Sequence, residues 1–176
     1  METTQFVYLG IGTNLGDRIA HITSALNELA RNGIQTKRCS SIYETAAWGF
    51  EATESFYNCV FECETALSAV QLLQQIKSIE TALGRSKKTS EGYESRVIDI
   101  DILLYKNEVI STEELIVPHH YLTVRNFVLY PLAELIPLKS HPVSLISFVE
   151  LLKKSPDKSP IRIVKPPISF GNLCNV

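Results

Sequence analysis

Asp99 and Asp101, in the stretch RVIDIDILLY at 96–105, are the residues whose type and spacing point most directly to chemistry. The stretch reads as a buried strand, in which successive side chains face opposite ways. Val97, Asp99, Asp101 and Leu103 then share one face, and Ile98, Ile100, Ile102 and Leu104 the other. Two carboxylates so placed lie about 6–7 Å apart, close enough to raise each other's pKa unless a cation screens them. Aspartate is disfavoured in strands, and a pair on one face more so. On spacing alone, a polar solvent face and a functional site are equally consistent with the pair. As a site it suits Mg²⁺, which takes one or two protein carboxylates and fills its remaining positions with water and phosphate oxygens. Two ions held this way would clamp both sides of an in-line displacement. Lys77, Arg85, Lys87, Lys88 and Arg96 form a basic patch in the segment leading to the pair.

Other motifs are weaker. Gly10, Gly12 and Gly16 in GIGTNLGDR miss the dinucleotide fingerprint, and no Gly-Lys-Ser/Thr follows, so they read as a structural turn. Pro118-His119-His120 offers adjacent imidazoles that seldom converge on one zinc ion, which leaves a phosphate or hydroxyl contact as the better use. Taken singly, Arg85 and Arg125 are ordinary surface charges, and Trp48, Phe56 and Phe127 ordinary core or half-buried aromatics.

The elements that must hold these residues can be read in chain order. FVYLGIGT is a glycine-dotted central strand; Asp17 then caps a helix with Ile19, Ile22, Leu26 and Leu29 on one side, ending at Asn32-Gly33. Residues 34–45 and 56–65 read as two strands joined by a long loop. Ser68 caps a second helix that ends at Gly84, and RVIDIDILLY is the fourth strand. The order β-α-β-β-α-β is that of a ferredoxin-like α+β sandwich, a mainly antiparallel sheet with both helices on one face. The face from Ile98 to Leu104 should lie under those helices, leaving Asp99 and Asp101 on the open one. Beyond it come added strands and helices: a hairpin near NEVIST, a helix within VPHHYLTVRNFVLYPLAEL, and another marked by Leu145, Phe148, Val149 and Leu152.

With 176 residues and 45% hydrophobic content, the chain suits one domain, expected at 1–154, followed by a proline-containing tail at 155–176 with little periodicity, expected to be irregular. A net charge of -2 argues against a broad nucleic-acid or membrane surface. No apolar run is long enough to span a bilayer and no signal peptide opens the chain, so a soluble cytoplasmic monomer is expected. Cys39, Cys59, Cys63 and Cys174 fit neither a metal pattern nor a disulfide framework and read as free thiols.

GTNLGDR, YET, FYNCVFECET, IETALGR, SRVIDIDILLY and VPHHYLTVRNFVLYPL, in this order and at these separations, resemble the 6-hydroxymethyl-7,8-dihydropterin pyrophosphokinase family of folate biosynthesis. The resemblance runs from about Val7 to Leu135 and implies pyrophosphoryl transfer from ATP to the pterin hydroxymethyl oxygen, with release of AMP. It implies two Mg²⁺ on Asp99 and Asp101. Arg85 and Arg96 would be catalytic and would join Glu80, His119 and Arg125 around ATP. Phe56 and Phe127 would sandwich the pterin, Asn58 would hydrogen-bond its ring, and Thr45 and Trp48 would belong to the loop that reads its polar edge. Loops 46–55 and 86–95, containing Gly49 and Gly92, are expected to close as lids. Lys77, Tyr93, Glu114 and Ser95 depart from the family pattern, Ser95 standing where proline is frequent and so freeing a hinge. With no synthase sequence after the tail, the resemblance implies a free-standing enzyme. A D-x-D strand on this fold would also suit a two-metal nucleotidyltransferase or phosphohydrolase. An RNA-recognition module is disfavoured by the charge and the missing aromatic signature.

Overall fold

The buried–polar alternation of VYLGIGT puts Val7, Leu9 and Ile11 on one face of β1 (Val7–Thr13) and Tyr8 on the other. A computed structural model describes residues 6–49, 52–85 and 95–167; Gly92, Tyr93 and Cys174 lie outside it, as do 86–94 of the second expected lid and 50–51 of the first. After β1 come α1 (Arg18–Arg31), β2 (Gln35–Cys39), β3 (Ile42–Thr45), β4 (Phe56–Glu64), α2 (Ala69–Ala82) and β5 (Asp99–Tyr105). They are followed by a small hairpin of β6 (Ile110–Ser111) and β7 (Ile116–Val117), then α3 (Asn126–Leu135), α4 (Phe148–Lys154) and β8 (Ile161–Lys165).

The helix caps are where the residue types put them. Asp17 accepts from the Ala20 N–H at 3.0 Å. Ser68 and Gln71 form a reciprocal capping box that satisfies two otherwise orphaned N–H groups. The strands form one antiparallel sheet in the order β5-β1-β4-β3-β8, with β2 also paired to β4. This is the ferredoxin-like arrangement, with its second strand broken into β2 and β3. Ser40 bridges the break: its N–H donates to the Val60 carbonyl at 3.0 Å and its hydroxyl accepts from the Val60 N–H at 2.9 Å.

Both sheet faces are covered, but unequally. α1 and α2 bury Ile22, Leu26, Leu29, Leu72 and Ile76 with Leu9, Phe61, Ile98, Ile100 and Ile102. On the opposite face, α3 and α4 bury Val128, Leu129, Leu132 and Phe148 against Tyr8, Val60, Leu103 and Leu104. Leu104 therefore does not lie under α1 and α2 as strict alternation from Ile98 requires. The β1–β5 register shifts between Tyr8 and Leu9, pairing Tyr8 with Leu104 and Leu9 with Ile102, and this bulge reverses the phase.

Two further expectations are corrected. The tail is not irregular throughout: 161–165 form β8, paired to the β3 edge from Thr45↔Ile161 to Ile42↔Lys165. A five-residue edge strand with one half-buried position carries no periodic signal of its own. Leu145 is outside α4, 75% exposed at φ 58°, so the apolar spacing that included it was coincidental.

α3 is tied to the sheet by polar contacts as well. Buried Glu62 on β4 accepts from Tyr8 Oη at 2.9 Å and from Arg38 Nε at 2.6 Å, and Arg38 Nη1 reaches the Leu135 carbonyl at the end of α3 at 3.1 Å. Glu134 accepts from Ser41 Oγ at 3.0 Å and Tyr43 Oη at 2.7 Å. Removing Glu62 strands a guanidinium and a phenol. Glu62→Leu is expected to lower the unfolding free energy in urea by about 2–3 kcal/mol, less than for a fully buried pair because Arg38 can reach water. Adding Arg38→Met and Tyr8→Phe should restore most of it; no recovery would mean that the network does not act as a unit.

Candidate active site

α3 covers only part of its sheet face. Where it stops, the outward positions of β1, β4 and β5 are Gly12, Asn58, Asp99 and Asp101, which form the floor of a cleft of about 690 Å³ counted to its open mouth. A Cβ at Gly12 would sit 3.2 Å from Asn58 Oδ1, so glycine keeps this floor clear. Gly10 and Gly12 are thus strand residues lining the cleft rather than parts of a turn; only Gly16 of the three has a positive φ, at 62°.

Thr45, Trp48, Phe56, Asn58 and Phe127 all line this cleft, together with Arg96, Asp99, Asp101 and Arg125. Buried Asn58 donates from Nδ2 to Thr45 Oγ1 at 2.9 Å, which orients its amide. The Arg125 guanidinium lies 4.4 Å from the ring centre of Trp48, 4.3 Å from that of Tyr121 and 5.6 Å from that of Phe127, stacking distances for a cation among aromatics. Arg125 therefore belongs to the aromatic wall in this conformation.

The carboxylates meet cations at once. Arg85 Nη1 is 2.8 Å from Asp99 Oδ1, and Arg96 Nη1 pairs with Asp99 Oδ2. Asp99 is on the expected face but shielded by two guanidiniums. Glu80 on α2 is buried, pairs with Arg85 and accepts the Ile100 N–H at 2.7 Å, satisfying a donor on an edge strand. Burial pushes the Glu80 carboxyl up against the pull of these partners. Asp101 has 44% of its side chain open, but to solvent inside the cleft. Its carboxyl is held well above the usual range, first by enclosure and then by Asp99 and Glu80. A cation between Asp99 and Asp101 would relieve that repulsion. Among the described residues no group of three His, Cys, Asp or Glu side chains converges as a metal site. The donor set is two carboxylates, which fits Mg²⁺ completed by phosphate oxygens and water and does not fit structural zinc.

His119 Nε2 is 3.9 Å from Asp101 Oδ2, and its Nδ1 accepts the Tyr121 N–H at 3.2 Å. The neutral ring thus carries its hydrogen on Nε2, facing the cleft. His119 lies beside Asp101, and Arg96 and Arg85 meet at Asp99. Several residues in or beside the site gave little signal in the sequence. Tyr121 stacks with Arg125. Asn14, 1% exposed, accepts from the Arg96 N–H at 2.7 Å and donates from Nδ2 to Ser95 Oγ at 2.9 Å and the Glu54 carbonyl at 3.5 Å. One asparagine thereby joins the feet of both expected lids, and the Ser95 hydroxyl supplies a tether where a proline would supply rigidity. Arg18 anchors Ser55 through its carbonyl and hydroxyl, each at 2.9 Å.

Residues 8–137 match the family model for 7,8-dihydro-6-hydroxymethylpterin-pyrophosphokinase (HPPK). The chain belongs to that family. It is 45% identical over 137 residues to the 2-amino-4-hydroxy-6-hydroxymethyldihydropteridine pyrophosphokinase of Aquifex aeolicus, across 78% of this chain and 84% of that relative. It is 36% identical over 164 residues to the folic acid synthesis protein fol1 of Pneumocystis carinii, across 93% of this chain but 21% of that longer protein. The crystal structure of Plasmodium falciparum HPPK-DHPS with pteroate superposes with a TM-score of 0.68 at 17% identity, over 86% of this chain and 44% of that one, a likeness of fold. Among the described residues, no helix of this HPPK family member is long and apolar enough to cross a membrane.

Burial, and then the positive charge of Arg125, pushes the His119 pKa down to about 4. An unfolded histidine takes its proton near 6.5, so acidification between those values favours the unfolded chain. NMR titration of the His119 ring in the ligand-free protein should show a midpoint near 4. A midpoint of about 6–7 would mean that the ring is hydrated and not committed to the cleft.

Proposed function

We propose that this protein transfers the terminal diphosphate of ATP to the hydroxymethyl oxygen of 6-hydroxymethyl-7,8-dihydropterin, a step of folate biosynthesis. The pterin oxygen bonds to the β-phosphorus, the bridge to the α-phosphorus breaks, AMP leaves, and the hydroxyl proton passes to solvent. The observation that carries this reading is that an aromatic, amide-bearing wall and a carboxylate–guanidinium cluster face each other across one cleft. A flat heterocycle with polar edges needs stacking faces and a few fixed hydrogen-bond partners. Phe56 and Phe127 supply the faces, Asn58 and Thr45 the polar contacts, and Trp48 closes the loop side.

Transfer at phosphorus depends on positioning and charge neutralisation more than on covalent help. Asp99 and Asp101 would hold Mg²⁺, two ions in this proposal, neutralising the phosphates and orienting them. Arg85 and Arg96 now rest on Asp99; in the loaded site they turn to phosphate oxygens, with Glu80 keeping Arg85 within reach. Neutral His119 donates its Nε2–H to a phosphate oxygen, and Arg125 adds positive charge at the junction of the two half-sites. Every residue invoked comes from one chain, so the proposed site is complete without a partner subunit.

The test is AMP formation from ATP and Mg²⁺ with and without the pterin. Asp101→Ala and Asp99→Ala are each expected to lower pterin-dependent AMP production by about a thousandfold or more while cooperative unfolding is retained. AMP formation independent of pterin would point instead to another two-metal enzyme, and an active Asp101→Ala would remove that residue from the site.

A further inference from the structure

α3 starts without a cap of its own. Arg125, at the N-cap position, makes no side-chain hydrogen bond to the first turn, which leaves the Asn126 N–H in need of an acceptor. Asp157 Oδ2 supplies it at 2.9 Å, from 31 residues further along the chain. The Asn126 side-chain amide donates in turn to the Asp157 carbonyl. Asp157 is itself held: its Oδ1 accepts the Ser159 N–H at 2.9 Å, and its N–H donates to Oγ of buried Ser155 at 3.3 Å. Burial alone would raise the Asp157 carboxyl pKa, but the donors from Ser159 and Asn126 and the charge of Lys158 outweigh it and hold the group ionised. An ionised carboxylate is the favoured partner of a helix N-terminus.

Four residues beyond Asp157 the chain enters β8, where Ile161 pairs with Thr45 and Arg162 with Glu44. The Arg162 guanidinium grips the Glu44 carboxylate, which also accepts from Ser55 Oγ at the foot of the loop carrying Trp48. One short segment thus reaches two separate elements of the aromatic side of the cleft, the start of α3 and the β3 edge. Asn126 lies between Arg125 and Phe127 at the first, and Thr45 is bonded to Asn58 at the second. The segment lies wholly beyond the residues matched by the family model.

We infer that 155–165 is a working part of the pterin site, and that Asp157 is a positioning residue which, by capping α3 from the tail, sets the placement of Phe127 and Arg125. The inference rests on the pterin reading above. The cap is one contact among many that stabilise the fold, but it acts one residue away from two residues of the aromatic wall. Its loss should therefore register in pterin recognition more than in ATP recognition.

The experiment uses the full chain with Asp157→Ala and Asp157→Asn. Trp48 is the sole tryptophan and lines the cleft, so quenching of its fluorescence by 6-hydroxymethyl-7,8-dihydropterin reads binding directly. Steady-state KM values for pterin and ATP, read from AMP formation, accompany it. Asp157→Ala should weaken pterin binding and raise the pterin KM by about five- to tenfold, the effect of a lost helix cap, with the ATP KM unchanged. Asp157→Asn should recover most of the loss, because its amide oxygen still accepts the Asn126 N–H. If Asp157→Ala fails to fold, Asp157→Glu, which keeps the charge but displaces the carboxylate by one methylene, is read in the same way. Unchanged pterin affinity with a lowered melting temperature, or equal losses for pterin and ATP, would overturn the inference and leave the tail a structural strap. A wild-type protein that neither binds pterin nor needs it for AMP formation would defeat the functional reading as well, whereas intact wild-type binding with an unaffected variant defeats this inference alone.

Discussion

Three carboxylates, Glu80, Asp99 and Asp101, are gathered at one edge of the sheet, and the architecture around them is organised by the cations they demand. Asp99 and Asp101 share a face of β5 because strand geometry leaves no alternative. Glu80 arrives from α2 because the Ile100 N–H on this edge strand needs an acceptor. Arg85 and Arg96 answer Asp99, and Asn14, locked at the end of β1, fixes the backbone from which Arg96 extends. The compensation is incomplete. Asp101 keeps a carboxyl that resists ionisation, first because it is enclosed and then because Asp99 and Glu80 face it. A site with unmet demand for positive charge favours an added cation in a way that a neutralised one does not.

The other half of the cleft depends on a covering helix that stops short. Had α3 run further, the face holding Gly12, Asn58, Asp99 and Asp101 would be buried, with polar groups that a core cannot satisfy. Its far end is secured twice, by Arg38 on the Leu135 carbonyl and by the neighbouring Glu134 on Ser41 and Tyr43. Its near end opens on the cleft with Arg125 and Phe127. Tied to the sheet at its far end and capped by Asp157 at its near end, α3 carries positional information from the closed part of the sheet to the open part.

Legibility in the sequence followed the range of the interactions. The caps Asp17 and Ser68 and the strand bearing Asp99 and Asp101 are local features, so they could be read residue by residue. The bulge that turned Leu104 to the second core could not, because it depends on register with Tyr8 across the sheet. β8 escaped for the same reason: its residues acquire order by pairing to β3, not by a pattern of their own. Glu62 is one of two glutamates in the run FYNCVFECET, with nothing local to single it out, and only the fold brings Tyr8 and Arg38 to it. Asn14 was hidden among glycines that drew attention to a turn, although Gly12 keeps the cleft floor clear and Gly10 makes room for Leu103.

The two halves of the site therefore differ in how they are held. The charged half stands on β5, a strand in the main sheet, with its carboxylates fixed by period and by short-range ion pairs. The aromatic half is assembled from a loop, the start of α3 and the β3 edge, elements joined by contacts that span much of the chain. For phosphates this division matches need: charge must be placed accurately, and a strand does that well. A ring that slides between two faces asks for a slot of the right width, and width is set by how firmly the elements on either side are tied together. Anchoring those elements through one tail segment gives both walls a common reference, so that a displacement of one is resisted through the other.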